Sequence, residues 1–135
     1  MPSKPERYVK YYLKGYRKYF KNRFLSPKEV SNLYSRSKIC INIHNKQSKE
    51  GCNPRFFEII GTKSFELVDN IEYIQKNFND YTVIYKDTDD LISKIRFYLK
   101  HEQDRECIID KGYEYISQNH TFINRIEEII SICDI

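Results

Sequence analysis

The stretch Glu50-Gly-Cys-Asn-Pro-Arg-Phe-Phe-Glu-Ile-Ile-Gly61 decides how the chain folds, because within it a polar loop passes into a well-marked helix start. Asn53 is a preferred N-cap, whose side-chain oxygen accepts from a free helix N–H. Pro54 suits the first helical position, where its missing N–H costs nothing and its fixed φ is already helical. These residues predict a helix from Pro54 to about Ile60, closed at Gly61 by a residue of positive φ. Arg55 and Glu58 share a face of that helix. An arginine beside the free amides and the positive dipole end of a helix makes a place for an anion, and a phosphate is the expected one. The same spacing suits a plain surface ion pair between Arg55 and Glu58, so both readings stand at this point.

Immediately upstream, Lys38-Ile-Cys-Ile-Asn-Ile-His44 alternates Ile39, Ile41 and Ile43 with Cys40, Asn42 and His44, the period of a strand. His44 stands at its carboxyl end. In an open α/β sheet ligands bind beyond the carboxyl ends of the strands, which would set His44 and the polar loop 45–51 over the crevice faced by the helix at Pro54. A strand-end histidine bonded to a loop carbonyl is the alternative. Further back, Ser26-Pro27-Lys28-Glu29 opens a helix running to about Ser35 with a capping box, and Phe20 to Leu25 reads as a short strand. Tyr8 to Phe20 places Tyr8, Tyr11, Tyr12, Tyr16, Tyr19 and Phe20 at helical spacing among lysines and Arg17, an aromatic stripe on a basic helix. Such a helix could stack on nucleic acid, lie on an anionic membrane surface or pack on a neighbouring lobe. The last is preferred, since aromatic stripes at this spacing are usually buried.

Downstream of Gly61, Ser64 to Val68 and Thr82 to Tyr85 read as strands, with a short helix over Ile71 to Phe78 between them. Helices follow from Thr88 to Leu99, from Glu102 to Ser117, and after a Thr121 cap through Phe122, Ile123, Ile126, Ile129 and Ile130. The order predicts an α/β fold: a Rossmann-like half with a short parallel sheet flanked by helices and a helical C-terminal tail.

At 135 residues, 40% hydrophobic and 31% charged, the chain reads as one soluble domain with a single core. No apolar run nears the roughly 20 residues that span a bilayer, and no apolar h-region follows the N-terminus, which predicts a cytoplasmic location. Cys40, Cys52, Cys107 and Cys133 lie far apart, with no Cys-x-x-Cys and no histidine at finger spacing, so neither a zinc site nor a disulfide framework is expected. Reduced, mostly buried thiols are. The net charge of +4 divides into +10 over residues 1–50 and −6 over residues 51–135. The basic half faces something anionic or is a solvated surface.

Four runs then fall in a familiar order: Tyr34-Ser-Arg-Ser-Lys-Ile-Cys-Ile-Asn-Ile-His44, Asn53-Pro-Arg-Phe-Phe-Glu58-Ile-Ile-Gly61, Asp90-Leu-Ile-Ser-Lys-Ile-Arg-Phe-Tyr-Leu99 and His120-Thr-Phe-Ile-Asn-Arg125. Together they resemble the carboxyl-terminal lobe of GT-B glycosyltransferases, in particular the branch that includes the spore maturation protein B type and related group 1 transferases. The likeness covers about residues 20–133. It implies a bacterial, hexosyltransferase-type enzyme part in which residues 1–19 form a basic, Tyr-rich helix and residues 20–135 the Rossmann-like donor-binding domain. The substrate implied is a nucleotide-diphosphate sugar, with no metal and no other cofactor. Glu58 matches the family glutamate that accepts hydrogen bonds from the nucleotide ribose. Arg55, with the amides opening its helix, would stabilise the charge building on the leaving pyrophosphate.

Glu50, eight positions before Glu58, matches the first of the paired glutamates of many retaining members, and stands with Arg55 as a catalytic candidate. The Gly-Phe-Gly that follows it in those members is here Gly51-Cys52-Asn53. His44 and Asn53 complete the donor-binding set. GT-B enzymes react in the cleft between two lobes, so an N-terminal GT-B lobe on another chain is the expected partner. This chain would then be a separated or truncated lobe, inactive alone, with peripheral membrane contact as a further expectation and nucleic acid as none. Two rival readings remain: a basic nucleic-acid-binding module, suggested by the first 50 residues, and a non-catalytic interaction domain.

Overall fold

The computed structural model describes residues 14–19, 23–45 and 51–133. A short 3-10 helix covers Lys14–Tyr19. Then follow α1 (Pro27–Ser35), β1 (Cys40–Asn42), α2 (Pro54–Gly61), β2 (Glu66–Asp69), α3 (Glu72–Asn77) and β3 (Val83–Tyr85). The chain continues as α4 (Thr88–Lys100), α5 (Glu102–Asn119) and α6 (Phe122–Cys133). The strands form one parallel sheet in the order β1-β2-β3, with Cys40 opposite Glu66 and Leu67 opposite Val83. Parallel neighbours need crossovers, and α2 and α3 supply them. The architecture is the α/β one read from the sequence: a short parallel sheet flanked by helices, with a helical C-terminal segment.

Side-chain alternation along the strands sorts two cores. On one face Val68 packs with Phe56 and Ile60 of α2, Ile74 of α3, Phe78 and Ile116 of α5. On the other, Phe65, Leu67, Val83 and Tyr85 pack with Leu91, Ile95 and Tyr98 of α4 and with Ile108 and Ile109 of α5. Phe56, Ile59 and Ile60 are all buried, each worth roughly 1.5–3 kcal/mol, so a helix of only eight residues is held firmly on the sheet. Close packing also constrains α5: a Cβ on Gly112 would stand 2.7 Å from the Tyr81 carbonyl oxygen.

Four expectations need correction. Residues 20–22 of the expected first strand lie outside the described residues, and residues 23–25 form no strand. There Arg23 instead pairs with Glu29 at 2.9 Å, which ties this lead-in to the α1 capping box, and Phe24 is 94% exposed. Gly61 does not close α2 with a positive φ. The helix persists because Thr62 N–H still reaches the Glu58 and Ile59 carbonyls, and the left-handed residue is Lys63, at φ 54°. Its N–H donates to the Ile60 carbonyl at 3.0 Å and Ser64 N–H to that of Ile59 at 3.2 Å, a Schellman closure.

The four cysteines are free thiols, but Cys107 and Cys133 are exposed, because they sit on the outward faces of α5 and α6. Of the expected Tyr8–Phe20 helix, only Lys14–Tyr19 lies within the described residues, wound as a 3-10 helix with Tyr16 and Tyr19 exposed. Among the described residues no helix is long and apolar enough to cross a membrane.

Candidate functional site

The site is built where β1 ends and α2 begins. Asn53 Oδ1 accepts from Phe56 N–H at 3.1 Å, the cap expected of it. Its amide also pairs both ways with Asn42: Asn42 Nδ2–H donates to Asn53 Oδ1 at 3.0 Å, and Asn53 Nδ2–H donates to Asn42 Oδ1 at 2.9 Å. Asn42 is wholly buried, so this pair pins the first turn of α2 to the sheet from below. Asn53's side chain is thus engaged in holding the helix start.

Arg55 and Glu58 are both exposed, and no ion pair joins them among those formed by the described residues. The plain-pair reading therefore lacks its contact. Tyr34 of α1 stands beside both. Burial raises its hydroxyl pKa and nearby Glu58 adds to the rise, while Arg55 opposes it. Two grooves flank α2. One, of about 450 Å³, runs between α1 and α2 and is lined by Val30, Tyr34, Phe57 and Glu58. The other, of about 630 Å³, lies toward the α5–α6 corner and is lined by Pro54, Phe57, Glu58, Tyr73, His120 and Arg125. There His120 stacks on Phe57 with ring centroids 5.3 Å apart, and burial together with the neighbouring Arg125 lowers its pKa.

Among the described residues His44 does not meet a loop carbonyl with its ring, the alternative read from the sequence. Its backbone N–H donates to Asp69 Oδ2 at 2.9 Å and its ring Nδ1 lies 2.6 Å from Asp69 Oδ1, so one carboxylate clamps the end of β1 to the end of β2. Its Nε2 is buried without a hydrogen-bond partner among the described residues. Glu50 lies outside the described residues.

Below the Asn42–Asn53 pair, on the same face of the sheet, sits Glu66. It is 2% exposed, it faces Cys40 across the β1–β2 ladder, and neither carboxylate oxygen has a partner among the described residues. Burial pushes its carboxyl up to about 8; the Asn42 amide and Thr82 hydroxyl stand close enough to temper that rise without meeting hydrogen-bond geometry. Burial likewise pushes the thiols of Cys40 and Cys52 up to about 11.

Sequence reasoning missed Tyr34, Asn42, Glu66 and Asp69 as parts of this site. The signal for Glu66 was present, a lone acid at an inward position of an otherwise apolar strand. That for Asp69 was its place at the carboxyl end of the neighbouring strand. Among the described residues no cluster of three or more His, Cys, Asp or Glu side chains could hold a metal ion.

The site is thus a parallel α/β sheet whose strand ends lie beside a capped helix start that carries an exposed arginine in its first turn. Over residues 3–131 the chain matches the family described as glycosyl transferase-like, and it belongs to that family. No curated protein and no solved structure is similar enough to match it.

Proposed function

We propose that this chain is the donor-binding lobe of a GT-B glycosyltransferase, of the branch that includes the spore maturation protein B type, and that it holds a nucleotide-diphosphate sugar for hexosyl transfer. The observation that carries the reading is α2: an N-terminus fixed in place over the strand ends, with Arg55 in its first turn and Glu58 one turn on, neither paired with the other. The diphosphate sits against Arg55 and the amides that open α2, where positive charge is already in place as the sugar–phosphate bond breaks. No metal is required for that task. Glu58 accepts from the ribose hydroxyls, which suits a carboxylate with two acceptor oxygens. The two grooves that meet at Phe57 and Glu58 leave room for the base on one side and the sugar on the other. His44 and Asn53 complete the donor-binding set, and Glu50 contacts the sugar.

Transfer requires an acceptor-binding lobe that brings the acceptor to the donor, so residues 1–135 by themselves transfer no sugar. The basic, Tyr-rich segment 1–19 meets that lobe or an anionic membrane surface. The test is a pair of variants followed by affinity and melting temperature together. Arg55→Ala weakens nucleoside diphosphate binding and spares nucleoside binding, whereas Glu58→Gln weakens both, by on the order of 1–3 kcal/mol. A loss confined to melting temperature in both variants would remove the assignment.

A further inference from the structure

The buried acid under α2 is not used by the reading above, yet it stands beside the Asn42 end of a hydrogen-bonded chain that runs through Asn53 to the α2 amides. Glu66 lies on β2 directly across from Cys40 of β1, and continuing the β2–β3 register by one residue brings it opposite Thr82, whose Oγ1 is likewise buried without a partner among the described residues. Asn42, two residues along β1 from Cys40, spends one amide hydrogen and its oxygen on Asn53. An asparagine amide carries two hydrogens, so one remains to point toward Glu66. Asn53 in turn caps Phe56 N–H. The order is therefore Glu66, Asn42, Asn53, first turn of α2.

We propose that Glu66 is a positioning residue for anion binding: as a neutral carboxyl it backs the Asn42–Asn53 pair that fixes the first turn of α2, and when it ionises it sets a negative charge beneath that turn. A neutral carboxyl can accept from the spare Asn42 hydrogen and donate its own proton to Thr82 Oγ1, which satisfies the atoms left without partners. An apolar side chain of the same size would fill the space more cheaply than an acid does, and would leave the Asn42 hydrogen unmet. The charged and titratable groups facing Glu66 are Cys40 from β1, Asp69 from β2, Arg55 from α2 and Cys52 from the loop before α2. Both thiols stay neutral through the range that matters, Asp69 favours the neutral acid and Arg55 the ionised one.

The inference rests on the diphosphate reading for one arm of its test and stands free of it in the other. In the ligand-free arm the whole native chain is titrated by NMR from pH 7 to 9.5, following the Glu66 side-chain carboxyl carbon and the backbone amides of Arg55 and Phe56. All three move with one midpoint if the chain of contacts is real. In the ligand arm uridine diphosphate affinity, measured by calorimetry over the same range, falls about tenfold, the scale of one added charge felt through a protein interior. Glu66→Gln, which keeps the shape and cannot ionise, holds one uridine diphosphate affinity from pH 7 to pH 9.5. A Glu66 carbon that titrates while the Arg55 and Phe56 amides stay still overturns the proposal, as does a Glu66→Gln variant that keeps the full pH dependence. If the native chain binds no nucleotide, the diphosphate reading falls and the amide titration alone decides the role of Glu66. The native titration also decides it if the variant does not fold.

Discussion

Replacing Asn53 by alanine tests how the site is held, and its cost follows from two contacts. The first is the cap to Phe56 N–H, whose loss costs about 1 kcal/mol, within a range of roughly 0.5–2. The second is the reciprocal amide pair with Asn42, which is wholly buried and would keep a donor and an acceptor with nothing to meet. An unsatisfied buried polar group costs about 1–3 kcal/mol. Asn53→Ala is therefore expected to lose about 2–4 kcal/mol, a large share of the roughly 5–15 kcal/mol by which a domain is stable. Asn53→Ser keeps a capping oxygen and loses only the pair, so it should fall between native and alanine. Urea unfolding with an unchanged slope measures all three. A cycle with Asn42→Ala should show coupling of about 1 kcal/mol or more, because the two amides donate to and accept from each other. Additive losses, or an alanine cost under about 0.5 kcal/mol, would refute the claim that the pair pins α2.

Glu66 makes stability fall as the pH rises. Its carboxyl rises from 4.5 to about 8 on folding, so the folded chain holds a proton that the unfolded chain has released, and stability falls as pH climbs through that window and levels off above it. The slope is at most about 1.4 kcal/mol per pH unit, and Glu66→Gln should flatten it when urea unfolding is compared at pH 5.5 and 8.5. A native chain equally stable at both would contradict the burial of an unpaired acid. Gly112→Ala would place a methyl group 2.7 Å from the Tyr81 carbonyl oxygen, a backbone atom that cannot swing away, and should cost about 1–3 kcal/mol in thermal unfolding. Lys63→Gly should instead stabilise by about 1 kcal/mol, since a non-glycine residue holds the left-handed position there, and no rise in melting temperature would count against the Schellman closure.

Much of this fold was legible because local signals and packing agree in it. Asn53-Pro54 and Ser26-Pro27-Lys28-Glu29 carry the start of a helix in their own chemistry, and α2 and α1 begin where those residues say. The isoleucine alternation before His44 likewise marked β1, which is shorter than its pattern because only Cys40–Asn42 find partners on β2. Helix ends were less legible: Gly61 looked like a terminator, yet whether a glycine closes a helix depends on where the carbonyls of the last turn find donors, and here Lys63 and Ser64 provide them. The site divides in the same way. The placement of Arg55 and Glu58 was readable because it rests on spacing along one helix. Asp69, Glu66 and Tyr34 matter through neighbours distant in the chain, His44, Asn42 and Glu58 respectively, and no local pattern encodes such neighbours. For His44 the strand end was read correctly and the partner was not, since the clamp comes from the next strand.

The claim that α2 receives a diphosphate is tested most directly by calorimetric titration of the native chain with uridine and guanosine diphosphates, without added metal, beside the matching nucleosides. The account predicts that at least one diphosphate binds, that its nucleoside binds much more weakly, and that Arg55→Ala removes most of the difference between them while melting within about 2–4 °C of the native chain. No heat from either diphosphate at millimolar concentration, or a diphosphate affinity that Arg55→Ala leaves unchanged, would contradict it.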